Sequence, residues 1–554
     1  MLYKQSVFVF LFLLLGVQVV LAQENHTVGL ISYTPWRSFD GYNLLYPERQ
    51  PTVYLLDNCG QIVHRWEDEE EFIPGKVAYL RPDGTLVKTK LRKNVTGAGI
   101  QGGGQGAYVE IRSWDNELLW QFEQNDSTAR LHHDITPMPN GNILMISWEY
   151  YSQEEALAVG RDSSKLTQGR LWPDYILEVN PALDSVVWEW HIMDHVIQDY
   201  DANKLNYGVV GEHPELIDLN WDTNEGRADW THVNSIDYNE GLDQILISVP
   251  RFNEFWIIDH STTTAEAAGH EGGRSGRGGD LLFRWGNPAT YRHGDAFDQK
   301  LFFQHDVHWV DDFVEEDFPY YGRIALFNNR VDEHYSNAGI LSVDFDTLMQ
   351  TYDWSVPEDF DEVFIHPQPE MMLSGIMSGI QLLPNGNVLI CVARPGYIFE
   401  MTPDNQIVWE YKTPFSDGQP VEQGTVLSTS DNVTFLLQRY PADYSAFDGR
   451  DLTSQGYIEI NADEDYCALV LENNETGDAR NISIYPNPVT TVLKIEGDFA
   501  KSRRLSIVDV FGTTQIEYQT TDARVATIDV SRLHPGLYFL MQDRWFLSRF
   551  VVVR

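Results

Sequence analysis

The chain has 554 residues and a formal charge of −43, from 39 Lys/Arg against 82 Asp/Glu. So acidic a protein is repelled by nucleic acid and by anionic membranes, neither of which offers its carboxylates a positive partner. The 16 Trp, 27 Tyr and 27 Phe supply bulky faces for packing sheet on sheet, while Cys59, Cys391 and Cys467 stand far apart without Cys-x-x-Cys spacing. Neither a disulfide framework nor a zinc site is suggested, and at most one disulfide can form.

Residues 1–22 have the form of a signal peptide. Lys4 precedes an apolar run from Val7 to Leu21, broken only by Gly16 and Gln18, and Leu21-Ala22-Gln23 places cleavage after Ala22. The run is short for a bilayer span of about 20 residues, and no later segment is apolar enough to cross. The mature protein is expected to be exported and to lack an integral membrane segment.

Residues 23–461 are organised by repetition. A short apolar strand ending in an aromatic occurs six times: Gln61–Trp66, Glu117–Phe122, Ser185–Trp190, Asp280–Trp285, Gln350–Trp354 and Gln406–Tyr411. A tight turn occurs three times, in Arg81-Pro-Asp-Gly-Thr-Leu86, Met138-Pro-Asn-Gly-Asn-Ile143 and Leu383-Pro-Asn-Gly-Asn-Val388. Asp-Gly and Asn-Gly favour two-residue hairpins because both central residues tolerate positive φ. Copies spaced by about 55 to 95 residues fit blades of four strands with insertions. The expectation is an all-β fold, a six-bladed β-propeller; stacked sandwiches give no reason for one strand to recur six times. Two glycine-rich stretches, Gly97 to Gly106 and Gly269 to Gly279, interrupt the pattern and are expected to be flexible connectors. The second carries Arg274 and Arg277 in an acidic body, so a loop over an anion site is its alternative.

Residues 462–480 are polar and acidic and are expected to form a linker. From Asn481 the composition changes, with nine Lys/Arg against seven Asp/Glu, leaving the tail near +2 and the body near −45. Residues 481–554 open on Tyr485-Pro-Asn-Pro488, alternate in strands such as Leu493–Glu496 and Leu505–Asp509, and end in Phe550-Val-Val-Val-Arg554. This tail resembles the C-terminal sorting domain of type IX secretion. The resemblance implies a small β-sandwich that directs crossing of an outer membrane, makes the secretion machinery a partner, and is often removed or exchanged for a surface anchor. A secreted or cell-surface location follows.

Propeller loops meet around one axis, so residues distant in sequence converge at the channel mouth. Four polar segments lie near inner-strand positions: Leu131-His-His-Asp134, Asp229-Trp-Thr-His-Val-Asn-Ser235, Gln304-His-Asp-Val-His-Trp309 and Phe327-Asn-Asn-Arg330. His132, His232 and His305 fall at matching places in the repeat. A ring of histidines is one way to hold a metal, but only Asp134 and Asp306 lie near at ligand spacing, so no metal and no cofactor is expected.

Asp229 to Ile236, Ile258-Asp-His-Ser-Thr-Thr-Thr264 through Gly279 to Pro288, Gln304-His305, Asn328-Asn-Arg330 and the Leu383–Val388 turn together resemble the bacterial arylsulfotransferase family over roughly Gly41 to Glu459. The resemblance implies a six-bladed propeller that moves a sulfuryl group from an aryl sulfate to a phenol without a nucleotide sulfate donor. Position by position, His232 matches the family histidine of the His-x-Asn-Ser segment, His305 the one after Gln, and Arg330 the sulfate-binding arginine. Asn234, Arg251, His132 and Arg394 are expected to bind substrate. Sulfuryl transfer spreads negative charge over equatorial oxygens, which suits an arginine; a neutral imidazole serves as nucleophile, and a second histidine protonates the departing phenolate.

One family feature is missing. The sulfated histidine lies shortly before the last blade's Pro-Asn-Gly turn, where Leu373-Ser-Gly-Ile-Met-Ser-Gly379 has no His, and the nearest upstream is His366. Either His366 reaches in, or His305 or His232 takes the role, or the chain has lost transfer activity and is a surface propeller binding an aromatic or anionic ligand. A hydrolase or lyase of sulfated polysaccharide is a further reading, by fold analogy alone. Some family members also carry an extra N-terminal β domain, whereas Tyr42–Tyr46 here is expected to begin the first blade.

Overall fold

Strands rich in β-branched and aromatic residues, cut by glycine turns, can bury both faces only if each sheet is flanked by two others. The computed structural model describes residues 26–93, 99–467, 483–496, 504–509, 513–519, 525–542 and 545–554, and its fold is all-β. The expected signal peptide, and the expected linker beyond Cys467, lie outside these residues.

Six antiparallel sheets of four or five strands follow one another in the larger part of the chain. Their inner strands are Thr434–Pro441, Phe72–Leu80, Ala129–Pro137, Ser235–Asn239, His305–Trp309 and Gly379–Leu382. Each inner strand touches the sheet on either side, which closes a ring. Closure depends on a swap between the ends, because Thr434–Pro441 supplies the inner strand to a sheet whose other strands are Gly41–Pro47, Val53–Leu56 and Ile62–Trp66. Carboxylates clasp neighbouring inner strands: Asp134 accepts from Ile236 N at 3.2 Å, Asp237 from Trp309 N at 2.7 Å, and Asp306 from Ile380 N at 2.8 Å.

Hydrophobic cores fill the spaces between consecutive sheets, and strand alternation divides the side chains among them. In Gln244–Val249, Ile245 and Ile247 join Ile176 and Trp190 of the preceding sheet, whereas Leu246 joins Trp309 and Leu326 of the following one. Four of the six aromatic-ended strands are the outer strands of these sheets and a fifth, Ile407–Lys412, has one further strand beyond it; Trp66, Trp190 and Trp409 in them are buried. The fifth copy differs: Thr351–Tyr352 forms a separate hairpin with Phe345–Asp346, and the outer strand of its sheet is Glu362–Phe364.

The three glycine turns join an inner strand to its neighbour, but not as two-residue hairpins. Gly84, Gly141 and Gly386 alone adopt positive φ, with each N–H returning to the carbonyl three residues back, at Arg81, Met138 and Leu383. Asp83, Asn140 and Asn385 instead accept from the N–H two residues on. The side chain thus braces a type I turn that ends in a glycine bulge.

The first described strand, Gly29–Tyr33, precedes the expected start at Tyr42 and adds a fifth strand beside Ile407–Lys412. Cys467, expected to lie in the linker, is joined by a disulfide to Cys59, and Tyr466 stacks on His26. The chain is therefore fastened to the ring up to this point. Farther on, the sheet of Ser483–Tyr485, Val492–Glu496 and Val525–Asp529 shares one core with the sheet of Thr514–Gln519, Arg504–Asp509, Gly536–Gln542 and Trp545–Val552. That is a small sandwich. Among the described residues no helix is long and apolar enough to cross a membrane.

Candidate functional site

Several residues in or just before the inner strands adopt positive φ, a conformation uncommon outside glycine. His133 has φ 52°, His232 φ 58°, Phe303 φ 59° and Met377 φ 60°. The effect is to gather side chains from four sheets. The His133 ring lies 4.6 Å from that of His232 and 6.2 Å from that of Phe435, and His305 lies 6.4 Å from Phe435.

His305 is fixed by an amide whose own orientation is settled. Asn329 Nδ2 donates to the carbonyls of Ser374 and Met377, each at 2.7 Å, so its Oδ1 must accept from His305 Nδ1 at 2.8 Å. The imidazole therefore carries its proton on Nδ1, and Nε2 is left with a lone pair and takes no hydrogen bond from any described residue. Burial, reinforced by the charges of His232 and Arg330, pulls the His305 pKa down to about 3 despite the Asn329 bond. The ring is neutral at physiological pH.

His232 Nδ1 lies 2.7 Å from the carboxylate of Asp229, which Arg251 approaches at 3.6 Å. Burial would raise the Asp229 pKa, but His232 and Arg251 hold it below the usual range. A second relay lies alongside: Asp174 is 2.6 Å from His132 Nε2, and His132 Nδ1 meets His133 Nδ1 at 2.7 Å. With His132 donating to the carboxylate, His133 donates from Nδ1 and keeps its lone pair on Nε2. Burial and three neighbouring imidazoles hold the His133 pKa well below its ordinary value.

Two guanidiniums face this group across Phe303, Arg330 at 3.7 Å from the ring centre and Arg251 at 5.3 Å. Arg330 Nε donates to Gly375 O at 2.8 Å, and burial together with Arg251 lowers its pKa. Asp229 and Arg251 also line a cavity of 390 Å³, along with Arg170, Arg227, Trp172 and Gly102. Three arginines and an indole suit an aromatic anion, in a body whose net charge is strongly negative.

The described part of the first glycine-rich stretch is an ordered cover and not a flexible connector. Buried Arg130 donates to the carbonyls of Gly106 and Ile100, and His133 N donates to Gly104 O at 2.7 Å. A Cβ on Gly102 would stand 2.7 Å from Trp148, and one on Gly104, at φ 79°, 2.0 Å from His133. These glycines let the backbone lie on the rings. The second stretch, considered as a loop over an anion site, instead packs against the third sheet's outer strand: Trp190 Nε1 donates to Gly279 O at 2.7 Å, and Arg274 pairs with Asp243.

Of the residues singled out from sequence, the structure gathers His132, His232, His305, Arg251 and Arg330. Asn234 lies just beneath, donating to Gln304 O at 2.8 Å. Arg394 bonds Ser430 Oγ and its backbone N–H reaches Ser374 Oγ, which puts it one loop away from the histidines. His366 does not join them. Its Nδ1 accepts from Gln368 N, its Nε2 meets Tyr397 OH, and its ring packs on Phe399 in the middle of the last sheet. Sequence alone passed over His133, Asn329, Asp229, Phe303 and Phe435. The first three lie inside the polar segments already noted, beside the residues chosen, whereas nothing local marks the two phenylalanines.

The sequence model described as arylsulfotransferase (ASST) matches residues 43–414, about two thirds of the chain, and a secretion system C-terminal sorting domain matches residues 483–544. Among solved structures, a protein of unknown function from Bacteroides caccae is 10% identical with a TM-score of 0.37, covering 72% of this chain and 98% of that one. Streptogramin B lyase is 10% identical at 0.33 over 75% and 94%, and virginiamycin B lyase from Staphylococcus aureus is 10% identical at 0.28 over 71% and 90%. No curated protein matches.

Proposed function

The chain belongs to the arylsulfotransferase family, and from that membership we propose that it moves a sulfuryl group from an aryl sulfate to a phenolic acceptor through His305, outside the cell. The observation that carries the reading is the neutral imidazole of His305, with Nδ1 committed to Asn329 and Nε2 unbonded, in a group that also holds His232, Arg251 and Arg330.

The donor's sulfate lies between Arg330 and Arg251, whose charges stabilise the equatorial oxygens as negative charge spreads over them. His305 Nε2 attacks sulfur with its lone pair while the aryl O–S bond breaks, and the electron pair leaves on the phenolate oxygen. His232, braced by Asp229, gives that oxygen a proton. In the second half the acceptor's hydroxyl yields its proton to His232, its oxygen attacks sulfur, and the N–S bond breaks to restore His305. Asn329 keeps the His305 proton on Nδ1 through the cycle, which preserves the lone pair on the reacting nitrogen.

The experiment is acceptor-dependent phenol release from an aryl sulfate by the purified protein, with peptide mapping of a sulfo-histidine. His305→Ala should lower kcat at least about 10³-fold and abolish the label. A label on another histidine moves the nucleophile, and activity that survives in His305→Ala refutes the assignment. Met377 and Ser378, at positive φ where the family places its nucleophile, favour a second reading in which the chain only binds an aryl anion; donor binding without turnover supports it.

A further inference from the structure

We propose that His195, His270 and Asp280 form a binding site for one divalent transition metal, with zinc the best fit, outside the channel. Their ligand atoms all lie within 4.8 Å of one another, close enough for a single ion about 2 Å from each. The ligands stand 75 and 10 residues apart, which is why no spacing in the sequence marked them.

His195 is fully buried, and its Nε2 lies 2.7 Å from the carbonyl of Ala267. A carbonyl only accepts, so that nitrogen carries the proton and Nδ1 keeps the lone pair. Yet Nδ1 faces Asp280 Oδ1 at 2.9 Å, and His270 Nδ1 faces the same oxygen at 2.7 Å. A lone pair turned on a carboxylate needs a positive charge between them. A metal ion supplies it, and the Ala267 carbonyl is the outer partner that a ligating imidazole requires on its far nitrogen.

The surroundings are shaped for this arrangement. Gly279 N donates to Gly269 O at 3.0 Å, closing the base of the glycine-rich loop and bringing His270 beside Asp280. A Cβ on Gly279 would stand 2.0 Å from Ala267 O and 2.5 Å from His195 Nε2, so only glycine lets the backbone lie on the imidazole. The Trp190 ring stacks on His195 at 5.5 Å with an interplanar angle of 7°. The His270 side chain is 60% exposed, which leaves the outward position to water. Two nitrogens and one carboxylate oxygen with an open fourth position suit zinc, and bound metal would clip the loop to the turn at Ile192–His195.

The test is isothermal titration of zinc chloride into the chelator-stripped, full-length secreted protein, with metal content measured after gel filtration. Wild type should take up one equivalent that His270→Ala and Asp280→Asn weaken on the order of 100-fold, while His232→Ala retains it. Zinc should also raise the Tm of wild type and not of His270→Ala, whose sulfotransferase activity should match wild type. Absence of binding at micromolar zinc, or a stoichiometry unchanged in both His270→Ala and Asp280→Asn, overturns the proposal and leaves a proton as the charge between His195 and Asp280.

Discussion

His305 spends one nitrogen on Asn329 and takes no bond from a described residue on the other, so in the proposed reaction its basicity decides when the nucleophile exists. Burial depresses its folded pKa to about 3, which leaves the lone pair available throughout pH 5–8. The burst of phenol released in the first half-reaction should therefore keep a constant amplitude from pH 8 down to pH 5 in rapid-mixing experiments. An amplitude that halves near pH 6.5, the ordinary histidine value, would show that another imidazole reacts. Sequence pointed to His305 through its neighbours in the chain, but its proton position is set by Asn329, 24 residues away. His133 shows the same limit from the other side. It stands next to His132 in sequence, yet only its φ of 52° and the approach of Gly104 reveal that it faces His232.

At the scale of strands and turns, His260 shows how one side chain ties two sheets. It follows the strand Glu254–Asp259 and donates from each ring nitrogen to a carboxylate, Asp243 at 2.8 Å and Glu178 of the preceding sheet at 3.0 Å. Burial alone would lower its pKa, but the two carboxylates raise it to about 9. Because the folded value lies above the unfolded one, near 6.5, the contribution is complete below pH 6.5 and fades as pH rises toward 9. It amounts to on the order of 2–3 kcal/mol. In urea melts, His260→Gln should lie well below wild type at pH 6 and close to it at pH 9.5; a gap that does not depend on pH would place the effect in packing and not in charge. Strand identity was legible in five of the aromatic-ended repeats, because their alternation is local. Thr351–Tyr352 matched the same pattern but lies outside its sheet, since Glu362–Phe364 occupies the outer edge beside Asn337–Leu341. Such competition between two segments for one edge leaves no trace in either sequence.

The whole ring is held shut at its ends. Thr434–Pro441 pairs with Gly41–Pro47, and Cys59 bonds Cys467 across 408 residues of chain. A crosslink spanning so long a loop removes much entropy from the unfolded chain, worth on the order of 3–5 kcal/mol. Reduction should lower the urea midpoint accordingly while Cys391, fully buried, resists thiol reagents until the protein unfolds. A midpoint unchanged by reductant would mean that the strand swap alone closes the ring. The same closure explains the site, because a ring is the arrangement that brings His132, His232, His305 and Arg330, drawn from three sheets, to one mouth.

By itself the sequence determined the all-β class, the recurring strands, the places of the glycine turns though not their type, and the separate tail, since each arises from alternation, turn chemistry or composition within a few residues. It also named five residues of the site, through short motifs. Tertiary structure alone decided which histidine stands free, which glycines lie on Trp148 and His133, that His366 belongs to the last sheet's interior, and that His195 and His270 meet at Asp280. Those outcomes depend on side chains tens to hundreds of residues apart sharing a buried space, where desolvation and close approach fix proton positions and pairings that no local pattern encodes.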